Sequence, residues 1–141
     1  MNGLEFLDTN ILLYAYDPSD RRKQLIAKDL LRNAVAGHLV ASTQVLAELS
    51  STLLHKISPP APPKQLKAIL NALAPIRLIL PDGDIVRRAV EVQAEYGVHF
   101  YDGMIIAAAE RAGCQRIWSE DLNTGQRYFG IVVEDPFRTK P

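Results

Sequence analysis

Four carboxylates stand where this sequence could do chemistry: Asp8, Glu48, Asp102 and Asp121. Asp8 directly follows the apolar run Leu4–Leu7. Asp121 comes two residues after Ile117-Trp118-Ser119. Asp102 opens an Ala-rich stretch that Gly113 closes, and Glu48 lies within Val45-Leu46-Ala47-Glu48-Leu49. Each Asp has a plain structural role open to it: Asp102 as a helix cap, Asp8 and Asp121 as turn or cap residues. Glu48 is harder to dismiss, because a charge beside a buried stripe is seldom left without a partner. Gathered in one place, the four would repel strongly. Two unit charges about 5 Å apart cost roughly 3 kcal/mol at an effective dielectric near 20. Such a cluster is either partly protonated or holds a divalent cation. Oxygen-only ligands favour Mg²⁺ or Mn²⁺, ions that activate water and neutralise charge developing on a phosphodiester.

The surrounding elements decide whether the acids meet. Short apolar strands are expected at Leu4–Leu7, 39–41, 76–80, 116–119 and 130–133. They alternate with helices at 11–16, Arg21–Val35, 43–57, 64–73, 84–96 and 102–112. Thr9 and Asn10, Ser42 and Thr43, and Asp84 read as helix caps, while Gly37, Gly97 and Gly113 read as stops. Four prolines within Ser58-Pro59-Pro60-Ala61-Pro62-Pro63 form a stiff loop between two helices. No internal repeat is visible. Such alternation implies an α/β fold, a parallel sheet covered on both faces, with its site beyond the carboxyl ends of the strands. That topology carries the four acids, from four separate segments, to one rim.

Composition narrows the class. The chain has 141 residues, 48% hydrophobic and 23% charged, enough for a single domain over residues 1–141. Neither a membrane-spanning run nor a leader is evident, and Cys114 has no partner for a disulfide, so a reducing cytoplasm is the expected compartment. Sixteen basic and sixteen acidic residues balance. This argues mildly against a generic nucleic-acid binder, unless an acidic pocket is set within a basic rim.

Four segments together resemble the PIN-domain nucleases, most nearly the VapC-type toxins of bacterial toxin–antitoxin pairs. They are Phe6-Leu7-Asp8-Thr9-Asn10-Ile11-Leu12, Gln44-Val45-Leu46-Ala47-Glu48-Leu49, Phe100-Tyr101-Asp102-Gly103-Met104-Ile105-Ile106-Ala107-Ala108-Ala109 and Ser119-Glu120-Asp121-Leu122. The likeness spans residues 4–137 and includes the ending Asp135-Pro136-Phe137. It implies a three-layer α/β/α sandwich with a central parallel sheet. It also implies a Mg²⁺- or Mn²⁺-dependent endoribonuclease, usually a homodimer held inactive by a small VapB-type antitoxin. Asp8, Glu48, Asp102 and Asp121 fall on the family's acidic positions, and Asn10 and Ser119 on residues that support the site. Gly103 departs from the Ser or Ala common in relatives and is expected to loosen the start of its helix. Glu120 has no assigned role.

On this reading Asp8, Asp102 and Asp121 hold the metal, and Glu48 holds or deprotonates the attacking water. Arg21, Arg22 and Lys23 are the densest basic cluster available to RNA, with Arg87, Arg88 and Arg127 as others; a solvated helix face is the plain alternative. His38, His55 and His99 lack ligand spacing and read as surface or loop residues. Ile11, Leu12, Leu13, Tyr14 and Tyr16, and the proline loop, offer apolar surface to a partner or to the core. Two rivals remain: a catalytically silent interaction module of the same fold, and an aspartyl-nucleophile phosphatase. The phosphatase would need a second acid where Asn10 stands.

Overall fold

The computed structural model describes residues 3–138. Met1 and Asn2, which open the segment read as leaderless, and residues 139–141 lie outside the described residues. In chain order the elements are β1 (Leu4–Leu7), α1 (Thr9–Ala15), α2 (Arg21–Val35), β2 (Leu39–Ser42), α3 (Thr43–His55), α4 (Pro63–Leu73), β3 (Arg77–Ile79), α5 (Gly83–Tyr96), α6 (Phe100–Arg111), β4 (Cys114–Trp118), β5 (Arg127–Tyr128) and β6 (Ile131–Glu134).

All six strands form one sheet in the order β3-β2-β1-β4-β6-β5. β1 runs parallel to β2 on one side and to β4 on the other. Phe6, Leu7, Val40, Ala41, Ile117 and Val133 are buried, as befits strands covered on both faces. The chain builds outward from β1 through β2 to β3, then returns to the far side of β1 as β4. Right-handed crossovers therefore set α1–α4 on one face and α5–α6 on the other. The reversal of strand order falls beside β1, and a crevice opens beyond the carboxyl ends of strands at such a point. Asp8 is the first residue past β1. α6 is buried nearly all round from Ile105 to Ala109, which is why its sequence shows no polar stripe.

Several local expectations shift. The sheet is parallel except for β5, which pairs antiparallel with β6 and was not anticipated. Phe129 and Gly130 both have positive φ, 48° and 85°, giving the tight turn that joins β5 to β6. Phe at the first turn position carries no sequence signal. Its conformation is held from outside, by the Tyr96 hydroxyl accepting its N–H at 2.9 Å and by Arg88 stacked 3.9 Å over its ring. The caps move as well. Asp8 itself caps α1 in place of Thr9 or Asn10, Asp82 rather than Asp84 caps α5, and His99 rather than Asp102 caps α6.

Ile11 and Leu12 join the core, whereas Leu13 and Tyr16 are only half-buried. These two, with Leu53, Ile57 and Pro59, line an apolar groove of about 590 Å³. Cys114 is free and buried, and burial pushes its thiol up to about 12. Among the described residues no helix is long and apolar enough to cross a membrane.

Candidate active site

Asp8 is the innermost acid, only 5% exposed. Its N–H continues the sheet ladder by donating to the Trp118 carbonyl at 3.0 Å, which fixes the residue's height at the rim. One carboxylate oxygen accepts the Thr9 N–H at 2.7 Å, and the other accepts the Ser119 hydroxyl at 2.8 Å. Burial raises its pKa to about 7, against the lowering effect of these two hydrogen bonds; the nearby charges of Asp102 and Glu48 raise it further.

Asp121 is joined to Asp8 through Asn10. The Asn10 Nδ2 donates to Asp121 Oδ2 at 3.1 Å and lies 3.4 Å from Asp8 Oδ2, while its Oδ1 accepts the Glu120 N–H at 3.0 Å. Asn10 is thus a donor that aligns two acids, not the acid the phosphatase reading needs. Asp102 sits in the first turn of α6, half-buried. Burial and the charge of Asp121 raise its pKa, and His99 works the other way. Glu48 projects from α3 on the exposed side, beside buried Leu49. Its Oε1 accepts the Gln44 Nε2 at 2.7 Å, and the same amide donates to the Tyr101 carbonyl at 3.0 Å. Gln44 therefore ties α3 to α6 across the rim. The charges of Asp102 and Glu48 reach Asp8, and Asn10 links it to Asp121, so all four acids share one edge of the sheet.

Ser119 organises the centre. Fully buried, it donates to Asp8 and accepts the N–H groups of Asp121 and Leu122, each at 3.2 Å. Ser119→Ala is expected to cost about 2 kcal/mol, because the Asp121 and Leu122 N–H groups lose their acceptor and Asp8 loses a buried donor. Urea denaturation of the variant checks this; an unchanged midpoint would contradict it.

Glu120 gains a role that sequence did not supply. It accepts the Tyr14 hydroxyl at 2.6 Å and pairs with Lys23, fastening the loop that carries Ser119 and Asp121 to α1 and α2. The basic cluster is accordingly engaged within the chain. Lys23 holds Glu120, Arg22 donates to the Phe137 carbonyl at 2.6 Å, and Arg21 donates to Gln24 at 3.2 Å. Arg88 is taken up by Glu110 at 2.8 Å. The cation that does line the rim is Lys56, which makes no ion pair among the described residues. The sequence reading did not single it out; it falls inside the helix expected over 43–57, which ends at His55.

Two hollows flank Glu48. One, of about 490 Å³, is lined by Gln44, Glu48, Ser51, His99, Tyr101 and Asp102. The other, of about 240 Å³, is lined by Thr9, Asn10, Glu48, Lys56 and Asp121 among others. His99, Tyr101 and Gln44 were missed as site residues. The only signal was the position of His99 three residues before an acid.

Gly103 does not loosen α6. A Cβ built there would lie 2.9 Å from the Ala89 carbonyl oxygen of α5, so the missing side chain is what lets the two helices close up.

Among the described residues no three or more His, Cys, Asp or Glu side chains form a ready-made group of metal ligands. The donor set nevertheless suits a hard ion that keeps part of its water shell. It is all oxygen, it is short of counter-charge, and the buried Thr9 hydroxyl beside it has no hydrogen-bond partner among the described residues.

The PIN domain family profile matches residues 6–128. No curated relative matches the chain. Among solved structures, the chain is similar to a toxin–antitoxin complex from Klebsiella pneumoniae, with 22% identity over 94% of this chain and 97% of that one and a TM-score of 0.68. It is also similar to the DNA-bound VapBC of Salmonella typhimurium, with 20% identity, coverage of 96% and 99%, and a TM-score of 0.68. A third is the sarcin–ricin-loop-cleaving VapC toxin of Mycobacterium tuberculosis, with 20% identity, coverage of 83% and 89%, and a TM-score of 0.62.

Proposed function

The chain belongs to the PIN domain family, and from that premise we propose that it is a divalent-metal-dependent endoribonuclease acting as the toxin of a toxin–antitoxin pair. The observation that carries this reading is the buried Asp8. Its carboxyl is held near neutrality by burial, with Asp102 and Glu48 close enough to repel it and Asn10 linking it to Asp121. Such a site is poised to ionise when a cation approaches. The similar solved structures, a toxin–antitoxin complex, a DNA-bound VapBC and a sarcin–ricin-loop-cleaving toxin, support the same reading.

Asp8, Asp102 and Asp121 would hold Mg²⁺ or Mn²⁺, which when bound supplies Lewis acidity toward a phosphate oxygen and counter-charge for the transition state. Ser119 and Thr9 orient Asp8 from behind, and Asn10 keeps Asp121 turned toward it. Glu48, exposed and hydrogen-bonded on one oxygen only, is placed to take a proton from the attacking water. Lys56 is placed to meet the RNA backbone. The partners are RNA, a second copy of the chain and a VapB-type antitoxin, in the cytoplasm.

The test is incubation of the purified chain with single-stranded and structured RNAs in Mg²⁺ or Mn²⁺, with and without a chelator. Cleavage that stops on chelation and leaves 5′-phosphate ends is expected. A 2′,3′-cyclic phosphate product would refute attack by water. Absence of cleavage, together with no heat of divalent binding by calorimetry, would favour the silent module.

A further inference from the structure

Tyr101 is an anomaly among the aromatic residues. It is 57% exposed although it immediately precedes an acid of the rim. Exposed large rings are costly in isolation, and this one is held firmly in place. His99 stacks on it, with centroids 5.7 Å apart and planes 27° from parallel, and Phe100 packs edge-on at 5.4 Å. Its N–H donates to His99 Nδ1 at 3.2 Å and its carbonyl accepts from Gln44. The ring is therefore preorganised, with the entropy of fixing it already lost in the free protein. It borders the hollow of about 490 Å³ whose other wall carries Glu48 and Asp102, a volume in the range that holds a small organic group.

We propose that Tyr101, backed by His99, is a stacking platform for an unpaired RNA base next to the phosphodiester that is cut. This rests on the ribonuclease reading and adds where the strand lies. Tyr101 lines the same hollow as Glu48 and Asp102, so a base seated on the ring has its own phosphate beside these acids. Every base offers a π-face, so the platform favours a single-stranded or flipped-out nucleotide over a paired one without reading a particular letter. The strand then passes over Glu48 toward the smaller hollow and Lys56.

The test uses a short RNA that the wild-type chain cuts at one bond, and versions carrying an abasic nucleotide at each position around that bond. Stacking on one aromatic ring is worth roughly 5- to 150-fold. Tyr101→Ala is expected to lose that factor in kcat/KM on intact RNA. It should lose almost nothing on the one abasic substrate whose missing base sits on the ring. Tyr101→Phe and Tyr101→Trp should retain activity on intact RNA. A Tyr101→Ala defect of equal size on every abasic substrate, or no defect at all, would overturn the platform while leaving the nuclease intact. Failure of the wild-type chain to cut any RNA would instead remove the parent reading, and the platform with it.

Discussion

Asp8→Asn is expected to abolish RNA cleavage, by about 10³-fold or more, and at the same time to stabilise the metal-free protein near pH 8. The loss follows from removing an anionic group from a site whose chemistry depends on counter-charge. The gain follows from the direction of the Asp8 pKa, 3.8 in an unfolded chain and about 7 in the fold. Below pH 4 both states hold the proton, and stability is at its full value. From pH 4 to 7 the unfolded chain releases the proton while the folded chain keeps it, so stability falls with rising pH, by up to about 1.4 kcal/mol per unit. Above pH 7 it stays at the lower level. Asn carries no such charge and remains a good helix cap. The variant should therefore be close to the wild type at pH 4 and exceed it by about 4 kcal/mol at pH 8. Thermal melts of both proteins across that range check the sign. Adding Mg²⁺ or Mn²⁺ at pH 8 should raise the wild-type Tm and leave that of Asp8→Asn unmoved, because only a folded state that binds the ion gains from it. A variant as active as the wild type, or less stable at pH 8, would sink the assignment of Asp8.

Gly103→Ala is expected to destabilise, the reverse of what helix propensity implies. In an exposed helix the change would gain about 1 kcal/mol. Here the new methyl would sit 2.9 Å from the Ala89 carbonyl oxygen, a backbone atom that cannot swing aside, so α5 and α6 must part. Overpacking onto a fixed backbone atom costs toward the upper end of about 1–3 kcal/mol, leaving a net loss of up to about 2 kcal/mol, and Gly103→Val should cost about 3 kcal/mol or more. Because Gly103 adjoins Asp102, the displaced helix also moves an acid of the rim. Cleavage at a temperature where the variants remain folded should drop with unchanged metal preference. A Gly103→Ala protein of equal or higher Tm would show that the helices have room.

The acids were legible because their positions follow from local rules. A residue just past a strand, or early in the helix that follows it, must lie at the carboxyl edge of a parallel sheet, and Asp8, Asp121 and Glu48 meet that condition; Asp102 opens α6, which follows α5 and not a strand, so packing brought it to the same rim. The strand Leu4–Leu7 and the helix Arg21–Val35 could be bounded from apolar runs and a terminal glycine for the same reason. Caps were legible only to within a few residues. Asp82 and Asp84 are chemically identical, and only the backbone decides which carboxylate faces the free Ile85 N–H.

The rest depends on contacts between residues distant in sequence. Nothing local says that Glu120 binds Lys23 and Tyr14, that Ser119 reaches Asp8 from 111 positions away, or that Arg22 bonds the Phe137 carbonyl while Lys56 lines a hollow at the rim. Gly103 is the sharpest instance, since its sequence meaning and its packing meaning have opposite signs. Local patterning set most of the elements, though not β5, and with them the end of the sheet that collects negative charge, because side-chain period and strand–helix order act over short separations. The tertiary structure alone decided the burial of Asp8, and so its protonation, and which rings and cations remain open to a substrate, because desolvation and pairing exist only once distant segments meet.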